Sequence, residues 1–282
     1  MEKLVCKKQN KSVVDFICSQ ISWLNFNAVK QLLRKKDVKI NGERIKVDQS
    51  INIGDTVEVY AHQKQMAKID IVYADDFVLV ASKPAGLEVV TEKGDCLLTL
   101  LQTQTSKQLF AVHRIDRNTT GLVVFALTKN VKEQLEDAFK NHTINKYYLA
   151  VVVGKPIKEQ DKLVAYHKKD SKSSMCYISD TPQKGYSKIK TNYKLLKSND
   201  ILSLLEVQIE TGKTHQIRAH LAHIGYPILG DEKYGNKQVN KQFKKKQQVL
   251  VAYKLEFNNS VKGCPLKSLE LPHIKKEMID AL

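Results

Sequence analysis

The chain has 282 residues, enough for one large domain or for a medium-sized domain with a small one. Hydrophobic residues make up 42% of it and charged residues 27%, and no apolar run approaches the roughly 20 residues that span a bilayer, so we expect a globular protein without a membrane segment. The net charge of +16 indicates a polyanionic partner, because basic side chains that neutralise phosphates release condensed counterions.

The N-terminus and the cysteines bear on the cellular compartment. No apolar core followed by a small-residue cleavage site is present at the N-terminus, so we expect no signal peptide and a cytoplasmic protein. The five cysteines are scattered and form no C-x-x-C pair. This pattern argues against both a disulfide framework and a thiolate zinc site.

Residues 11–60 have the pattern of a compact module in which two short helices precede a small sheet. Apolar residues recur at helical spacing over 13–21 and 29–33. The pair Asn41-Gly42 lies between alternating residues and predicts a hairpin over 38–47, and a further strand is predicted at 56–60. The second helix and the turn after it carry four candidate contacts for a polyanion: Lys30, Arg34, Lys35 and Lys36.

Residues 61–68 are polar and predict a linker to a second region, 69–282. Strands are predicted there at 69–73, 77–81, 121–127, 147–153, 187–196 and 202–209. Helices are predicted after Thr128, a good N-cap, and from near Thr214 to Gly225. The lysine-rich stretch 155–186 fits a solvated surface loop or a nucleic-acid-contacting insertion. Because strands and helices do not alternate regularly, the fold class is α+β rather than a doubly wound sheet.

A polar segment between apolar flanks runs from His113 to Gly121. Asp116 lies in it between Arg114 and Arg117. A carboxylate beside arginine stays ionised, which suits a nucleophile or a general base. By spacing alone, a purely structural ion pair is the commoner explanation.

Residues 210–231 form a second segment rich in polar groups. Arg218 lies near the start of the predicted helix, where a guanidinium could pair with a carboxylate in a bidentate manner. The nearby His215, His220 and His223 are not spaced as zinc ligands with an adjacent acid, and no third ligand is evident. We therefore expect no metal site.

Two predicted strands carry further candidates. Lys146 and Tyr148 lie on one side of a strand and Tyr147 on the other, so one tyrosine faces a cleft in which it could stack on a base. Ordinary packing is the alternative for either tyrosine. Another strand ends in the turn 83–86, Lys-Pro-Ala-Gly, which carries no chemistry by itself.

Together, and in this order, these segments resemble the RluA family of pseudouridine synthases over about residues 69–260. The resemblance depends on the turn 83–86, the segment 113–121, Lys146-x-Tyr148, and 212–231 followed by Tyr234-Gly235. The module 11–60 resembles, more loosely, an S4 RNA-binding domain. The family implies a catalytic domain with a mixed, mainly antiparallel sheet and no cofactor.

The resemblance also implies roles for individual residues. Asp116 stands at the catalytic position, Arg218 at that of its arginine partner, Tyr148 at that of the active-site tyrosine, and Arg114 at that of the arginine linked to base flipping. Lys83, Lys146 and His215 join the four basic residues of the first module as candidate RNA contacts.

The implied reaction takes a uridine out of its stack, breaks the bond from C1′ to N1, rotates the uracil and rejoins it through C5. Asp116 could attack the sugar, attack the base or remove the C2′ proton, and the sequence does not choose among these. The expected substrate is a large structured RNA, 23S-type ribosomal RNA, bound by a monomer. The alternatives are a non-catalytic RNA-binding or ribosome-assembly factor, and an N-glycosidase, which would release free uracil.

Overall fold

The computed structural model describes residues 1–21, 23–24, 26–61, 68–92, 94–258 and 264–282, except for the side chains of Asn27 and Pro272. The chain divides into two compact units, Met1–Ala67 and Lys68–Leu282. The predicted linker 61–68 falls largely on residues 62–67, which lie outside the described residues. None of the helices in the described ranges has the length and hydropathy of a membrane span.

The first unit is a small antiparallel sheet with two helices. Its elements are β1 (Glu2–Val5), α1 (Val13–Gln20), α2 (Phe26–Lys35), β2 (Val38–Ile40), β3 (Glu43–Arg44) and β4 (Thr56–Val59), with the strand order β1-β4-β2-β3. Both predicted helices are present, and apolar residues at helical spacing, such as Val13, Ile17, Val29 and Leu33, form the core. Strand β1 was not predicted because most of its side chains are exposed, so it has no apolar alternation.

The predicted hairpin is present but shorter than expected. Asn41 and Gly42 both have positive φ, 50° and 86°, which matches the turn that Asn-Gly pairs favour between two strands. Strand β3 ends at Arg44, so residues 45–47 are not part of the hairpin's second strand.

The second unit is built on one large sheet. Its elements are β5 (Asp70–Ala74), β6 (Val78–Lys83), α3 (Leu97–Thr105), β7 (Phe110–Ala111), β8 (Thr120–Ala126), α4 (Lys129–Lys140), β9 (Ile144–Val153), β10 (Gln160–Lys169), β11 (Cys176–Ser179), β12 (Ser187–Ser198), β13 (Leu202–Ile209), α5 (Gln216–His223), α6 (Lys237–Gln242), β14 (Leu250–Phe257), β15 (Ser268–Glu270) and α7 (Pro272–Asp280). The strand order is β11-β10-β12-β13-β9-β14-β8-β6-β5, with β15 beside β14 and β7 beside β8. All named pairs are antiparallel except β14 with β8, so the predicted α+β class with a mainly antiparallel sheet is confirmed.

Both faces of this sheet are covered, and side-chain alternation decides which residue faces which core. Leu79, Val123 and Ala150 pack in one cluster with residues of α3 and α5. Their neighbours Val80 and Val124 belong to a second cluster with residues of α4. Tyr148 lies on the α5 side, together with Ala150, because alternate residues of a strand point to the same face.

Of the two alternatives for 155–186, the surface loop is wrong over Gln160–Lys169 and Cys176–Ser179, since β10 and β11 form a hairpin there. Exposure alternates along β10, but the exposed residues include Val164 and the less exposed ones include Asp161 and His167, so the strand has no clean apolar stripe. A periodicity argument based on hydrophobic residues therefore had little signal in this stretch.

Gly121 allows the closest approach of two strands near the segment 113–121. It has a φ of 104° and pairs with Ala252 at the parallel contact of β8 with β14. A Cβ atom at this position would lie 2.1 Å from the Ala252 carbonyl oxygen. Only glycine fits both this conformation and this contact.

We expect Gly121→Ala to lower the free energy of unfolding by about 3 kcal/mol or more, because it combines backbone strain with a backbone clash. Chemical denaturation measures this. Gly86→Ala is the matched control, since Gly86 also has positive φ, 83°, but nothing lies within 4 Å of an added Cβ. The control should lose only about 1–2 kcal/mol. Equal losses for the two variants would contradict the proposed clash.

Candidate active site

A cleft of about 600 Å³ opens on the α5 side of the large sheet. Six of the predicted site residues line it: Arg114, Asp116, Lys146, Tyr148, His215 and Arg218. They come from the loop before β8, from β9 and from the start of α5, which are far apart in the sequence. The fold thus brings together candidates from the two polar segments and from the predicted strand that carries Lys146 and Tyr148.

Asp116 and Arg218 are in direct contact. Nη1 of Arg218 donates a hydrogen bond to Oδ2 of Asp116 at 3.0 Å. The Asp116 side chain is 24% exposed, and no hydrogen bond from a described residue reaches its Oδ1. One oxygen is therefore held while the other is available to a ligand in the cleft.

Arg218 is itself fixed by a second carboxylate, Asp231. Nε and Nη2 of the guanidinium donate to the two oxygens of Asp231 at 2.7 and 2.9 Å, a bidentate pair. Backbone N–H groups of Lys233 and Tyr234 also donate to Asp231, at 2.9 and 3.1 Å. Asp231 is only 1% exposed, so it acts as a buried anchor that aims Arg218 at Asp116.

The charges of this triad are stabilised mutually. Burial disfavours the guanidinium, but the two neighbouring carboxylates outweigh burial, and the pKa of Arg218 is raised. For Asp231 burial works in the opposite direction, yet its bonds to Arg218 and to the backbone N–H groups lower the pKa of the carboxyl group. Both groups are therefore charged at neutral pH.

The role of Asp231 was missed by sequence reasoning, although a signal existed. Asp231 follows the apolar run Pro227-Ile228-Leu229 after a single glycine, Gly230, and a carboxylate buried beside such a run needs a cation or several N–H donors.

The turn that carries Asp116 is held by Gln248, two residues before β14. Thr119 N–H donates to the Asp116 carbonyl at 3.0 Å, and the Gln248 side-chain amide donates to the Thr119 hydroxyl at 2.7 Å. Gln248 and Thr119 are both buried, with 6% and 2% of their surface exposed. The sequence analysis assigned no role to Gln248 and missed this contact.

The predicted RNA contact of Lys83 is wrong. Lys83 is 1% exposed, and its ammonium donates to the carbonyl groups of Pro84, Leu87 and Arg117 at 2.9, 2.7 and 2.8 Å. All three of its N–H bonds are used inside the protein. Lys83 instead ties the turn 83–86 to the loop that carries Asp116.

Tyr148 forms part of the cleft wall and is 8% exposed. It pairs with Val207 of β13 and with Ala252 of β14, so its backbone is fixed on both sides. Burial and the nearby Asp116 charge raise the pKa of its hydroxyl, which stays protonated at neutral pH. The strand alternation that placed Tyr148 and Lys146 on the same side holds in the structure, since both line the cleft.

His113 is another residue to which sequence reasoning assigned no role. Its Nε2 accepts the Val124 N–H at 2.9 Å, so the ring proton is on Nδ1. The ring stacks on Phe139 with centroids 4.4 Å apart. Burial, reinforced by Lys146, lowers the pKa of His113 to about 3, so it is a neutral structural group beside the cleft.

Basic residues surround the site. Five basic residues that line the cleft form what we call the basic rim: Arg114, Lys140, Lys146, Lys188 and Lys213. Asp116 is the one acidic residue among the described residues that line the cleft. Such a cleft attracts an anionic ligand and places the Asp116 carboxylate among cations. Over the described ranges, no group of three or more His, Cys, Asp or Glu residues is arranged to hold a metal ion.

Comparisons with known proteins agree on the class. The human structure "RNA Pseudouridylate Synthase Domain Containing 1" superposes with a TM-score of 0.61 at 21% identity, covering 75% of this chain and 85% of that one. This likeness shows the pseudouridine synthase fold.

The sequence comparisons go further. A family model described as RNA pseudouridylate synthase matches residues 77–223. The "Ribosomal large subunit pseudouridine synthase C" of Rickettsia bellii is 33% identical over 76% of this chain and 79% of its own length. An "Uncharacterized RNA pseudouridine synthase" of Mycoplasma capricolum is 30% identical over 92% of each chain. The chain belongs to the RNA pseudouridylate synthase family, and its activity is the isomerisation of uridine in RNA.

Proposed function

We propose that this enzyme modifies uridines of large-subunit, 23S-type ribosomal RNA and that Asp116 is its catalytic group. The substrate proposal is supported by relatives from Rickettsia bellii and Vibrio cholerae that carry the name "Ribosomal large subunit pseudouridine synthase C". The residue proposal is carried by one observation: Arg218, locked by Asp231, holds one oxygen of Asp116 and leaves the other open to the cleft.

In the proposed mechanism Asp116 acts as an ionised group on a uridine that has left its stack. Arg218 orients the carboxylate through its hydrogen bond to Oδ2, so that Oδ1 meets the nucleotide. The bond from C1′ to N1 breaks, the uracil rotates, C5 joins C1′, and the proton of C5 is lost while N1 gains one. Attack on C1′, attack on the base and removal of the C2′ proton each need the same ionised carboxylate.

Tyr148 and Arg114 complete the proposed site. Tyr148 stacks on the uracil, and such stacking contributes about 1–3 kcal/mol per base, which offsets much of the few kcal/mol that unstacking costs. Arg114 is exposed at the mouth of the cleft, where it can take the place of the flipped base or hold a phosphate.

Further RNA binding is proposed for Lys146 and the other residues of the basic rim, and for the first unit as an S4-like module. In α2, Lys30 lies over the Phe26 ring with its ammonium 4.3 Å from the centroid, and the helix ends in Arg34 and Lys35, followed by Lys36. Lysines and arginines beside an exposed aromatic ring suit an RNA backbone. We propose that the enzyme works as a cytoplasmic monomer.

Pseudouridine mapping of total RNA tests the substrate. Deletion of the gene should remove pseudouridine from specific sites of large-subunit ribosomal RNA, and the wild-type gene should restore them. Loss of sites only in transfer RNA would contradict the ribosomal assignment. Restoration by a gene carrying Asp116→Ala would contradict the catalytic role and favour a factor that acts by binding alone.

A further inference from the structure

His215 lies at the junction between the polar segment 211–215 and helix α5. Its φ of 52° is in the left-handed region, which non-glycine residues rarely adopt. The side chain does not cap the helix, although the residue stands at the N-cap position. It lines the cleft that contains Asp116 and Arg218. Unusual backbone geometry at a cleft wall often accompanies a functional constraint, so the surroundings of the ring are informative.

The Tyr234 hydroxyl determines which nitrogen of His215 carries the proton. It accepts the backbone N–H of Cys176 at 2.8 Å and lies 3.0 Å from Nδ1 of His215. A backbone N–H can only donate, so the proton of the hydroxyl remains for another partner. Among the described residues, Nδ1 of His215 is the acceptor within reach. We assign the hydroxyl proton to this bond, so that Nδ1 accepts and the ring proton lies on Nε2.

The hairpin of β10 and β11 holds this arrangement in place. The Thr214 carbonyl, one residue before His215, lies 2.9 Å from Nε2 of His167, which donates to it, and it accepts the Cys176 thiol at 3.2 Å. Cys176 thus contributes its backbone N–H to Tyr234 and its thiol to Thr214. Arg218 lies over the ring of Tyr234, with its guanidinium carbon 5.3 Å from the ring centroid. The same tyrosine therefore contacts the arginine that binds Asp116.

The ring of His215 is neutral. Burial lowers the pKa of His215 to about 4, with the charge of Asp116 opposing the shift and that of Arg218 adding to it. The cleft already has cations for phosphate groups in its basic rim. A neutral donor of fixed direction is suited instead to an oxygen on which negative charge develops during a reaction.

All three routes open to Asp116 place such charge on the uracil oxygens. Departure of uracil from C1′, by substitution or after loss of the C2′ proton, leaves the base with negative charge shared among N1 and its two carbonyl oxygens. Attack on the base at C6 pushes an electron pair onto the O4 carbonyl. From this chemistry and the geometry above we propose that Nε2–H of His215 donates a hydrogen bond to a carbonyl oxygen of the flipped uracil, and that Tyr234 and Cys176 orient it. This inference rests on the proposed function of the cleft.

Single-turnover rates and RNA dissociation constants of matched variants test the proposal. His215→Ala should slow the reaction about 10²-fold, as loss of one donor to a developing oxyanion does, with Kd changed less than threefold. His215→Gln keeps an amide N–H donor and should recover about tenfold of the rate. Tyr234→Phe should slow the reaction about tenfold, because the imidazole proton is then no longer confined to Nε2.

His223→Gln is the control. His223 is on the same helix, pairs with the exposed Asp180 at 2.9 Å and does not line the cleft, so both constants should be unchanged. Equal rates for His215→Ala and His215→Gln, or a loss confined to Kd, would overturn the proposal. The wild-type enzyme and Asp116→Ala, which the proposed function predicts to be inactive, are assayed alongside. Activity retained by Asp116→Ala would show that the proposed function, rather than the role of His215, is wrong.

Substrate analogues identify the acceptor without depending on the folding of a variant. Sulfur accepts hydrogen bonds weakly, so a target containing 2-thiouracil or 4-thiouracil should react more slowly with the wild-type enzyme at the contacted position. The same substitution should leave the rate of His215→Ala unchanged. Coupling of His215 to methylphosphonate linkages beside the target, rather than to either thio substitution, would place the contact on the backbone and overturn the proposal.

Discussion

Replacing Asp116 by asparagine is expected to abolish pseudouridine formation and to leave RNA binding intact. The amide has the shape of the carboxylate and can still accept the bond from Arg218, but it carries no negative charge for attack or proton removal. We expect the rate to fall on the order of 10⁴-fold or more, as for essential groups of other enzymes. Quantifying pseudouridine in a target RNA, with Kd measured on the same RNA, checks this.

The asparagine variant should also remain folded. Arg218 keeps its bidentate pair with Asp231, so the free energy of unfolding should change by no more than about 1 kcal/mol. Asp180→Asn, at an exposed carboxylate outside the cleft, serves as the control and should keep full activity. An Asp116→Asn enzyme within tenfold of the wild-type rate would refute a catalytic role for this carboxylate.

The second large effect is expected for Asp231→Asn, which should both destabilise the protein and slow the reaction. The substitution leaves a buried guanidinium without its main counter-charge, and breaking a buried pair in this way costs about 3–5 kcal/mol. Arg218 is then no longer aimed at Asp116. Chemical denaturation and single-turnover kinetics measure the two effects.

Asp161→Asn is the matched comparison, because Asp161 pairs with Lys158 on the surface at 2.9 Å. A surface pair contributes only about 0–1 kcal/mol, so this variant should be nearly as stable as the wild type. Similar losses of stability in the two variants would contradict the anchoring role of Asp231.

The effect of Asp231→Asn should also depend on pH. The pKa of Asp231 is lowered in the folded protein from an ordinary value of 3.8. A carboxyl group with a depressed folded pKa contributes stability above its unfolded pKa, and this contribution is lost as the pH falls through the folded pKa. The difference in stability between wild type and Asp231→Asn should therefore be full at pH 7 and shrink below about pH 4. A difference that grows on acidification would contradict this assignment.

Local sequence patterns predicted the structure correctly where the feature depends on a single strand, helix or turn. The alternation around Tyr148 predicted correctly that it shares a face with Lys146, and Asn41-Gly42 predicted the hairpin of the first unit. The ordered motifs from Lys83 to Tyr234 indicated the family that the comparisons show. These features depend on backbone geometry and side-chain period, which neighbouring residues determine.

The arrangement of the site depends on contacts between residues that are far apart in the sequence. Gln248 meets Thr119 across 129 positions, and Arg218 meets Asp116 across 102. Hydrophobic periodicity indicates which face of a helix or strand is buried. It does not indicate which polar group of another segment a buried polar side chain will contact. Lys83 illustrates this: the sequence shows a lysine after a strand, whereas the fold encloses it among three carbonyl groups.

The sequence by itself therefore determined the class of the fold, the family and the candidate residues Asp116, Tyr148 and Arg218. Only the tertiary structure decided that Asp231 aims Arg218, that Lys83 is internal, and that Tyr234 orients His215. The physical reason is that a buried polar side chain is stable only with partners of matching geometry, and those partners come from segments that the folded sheet alone brings together.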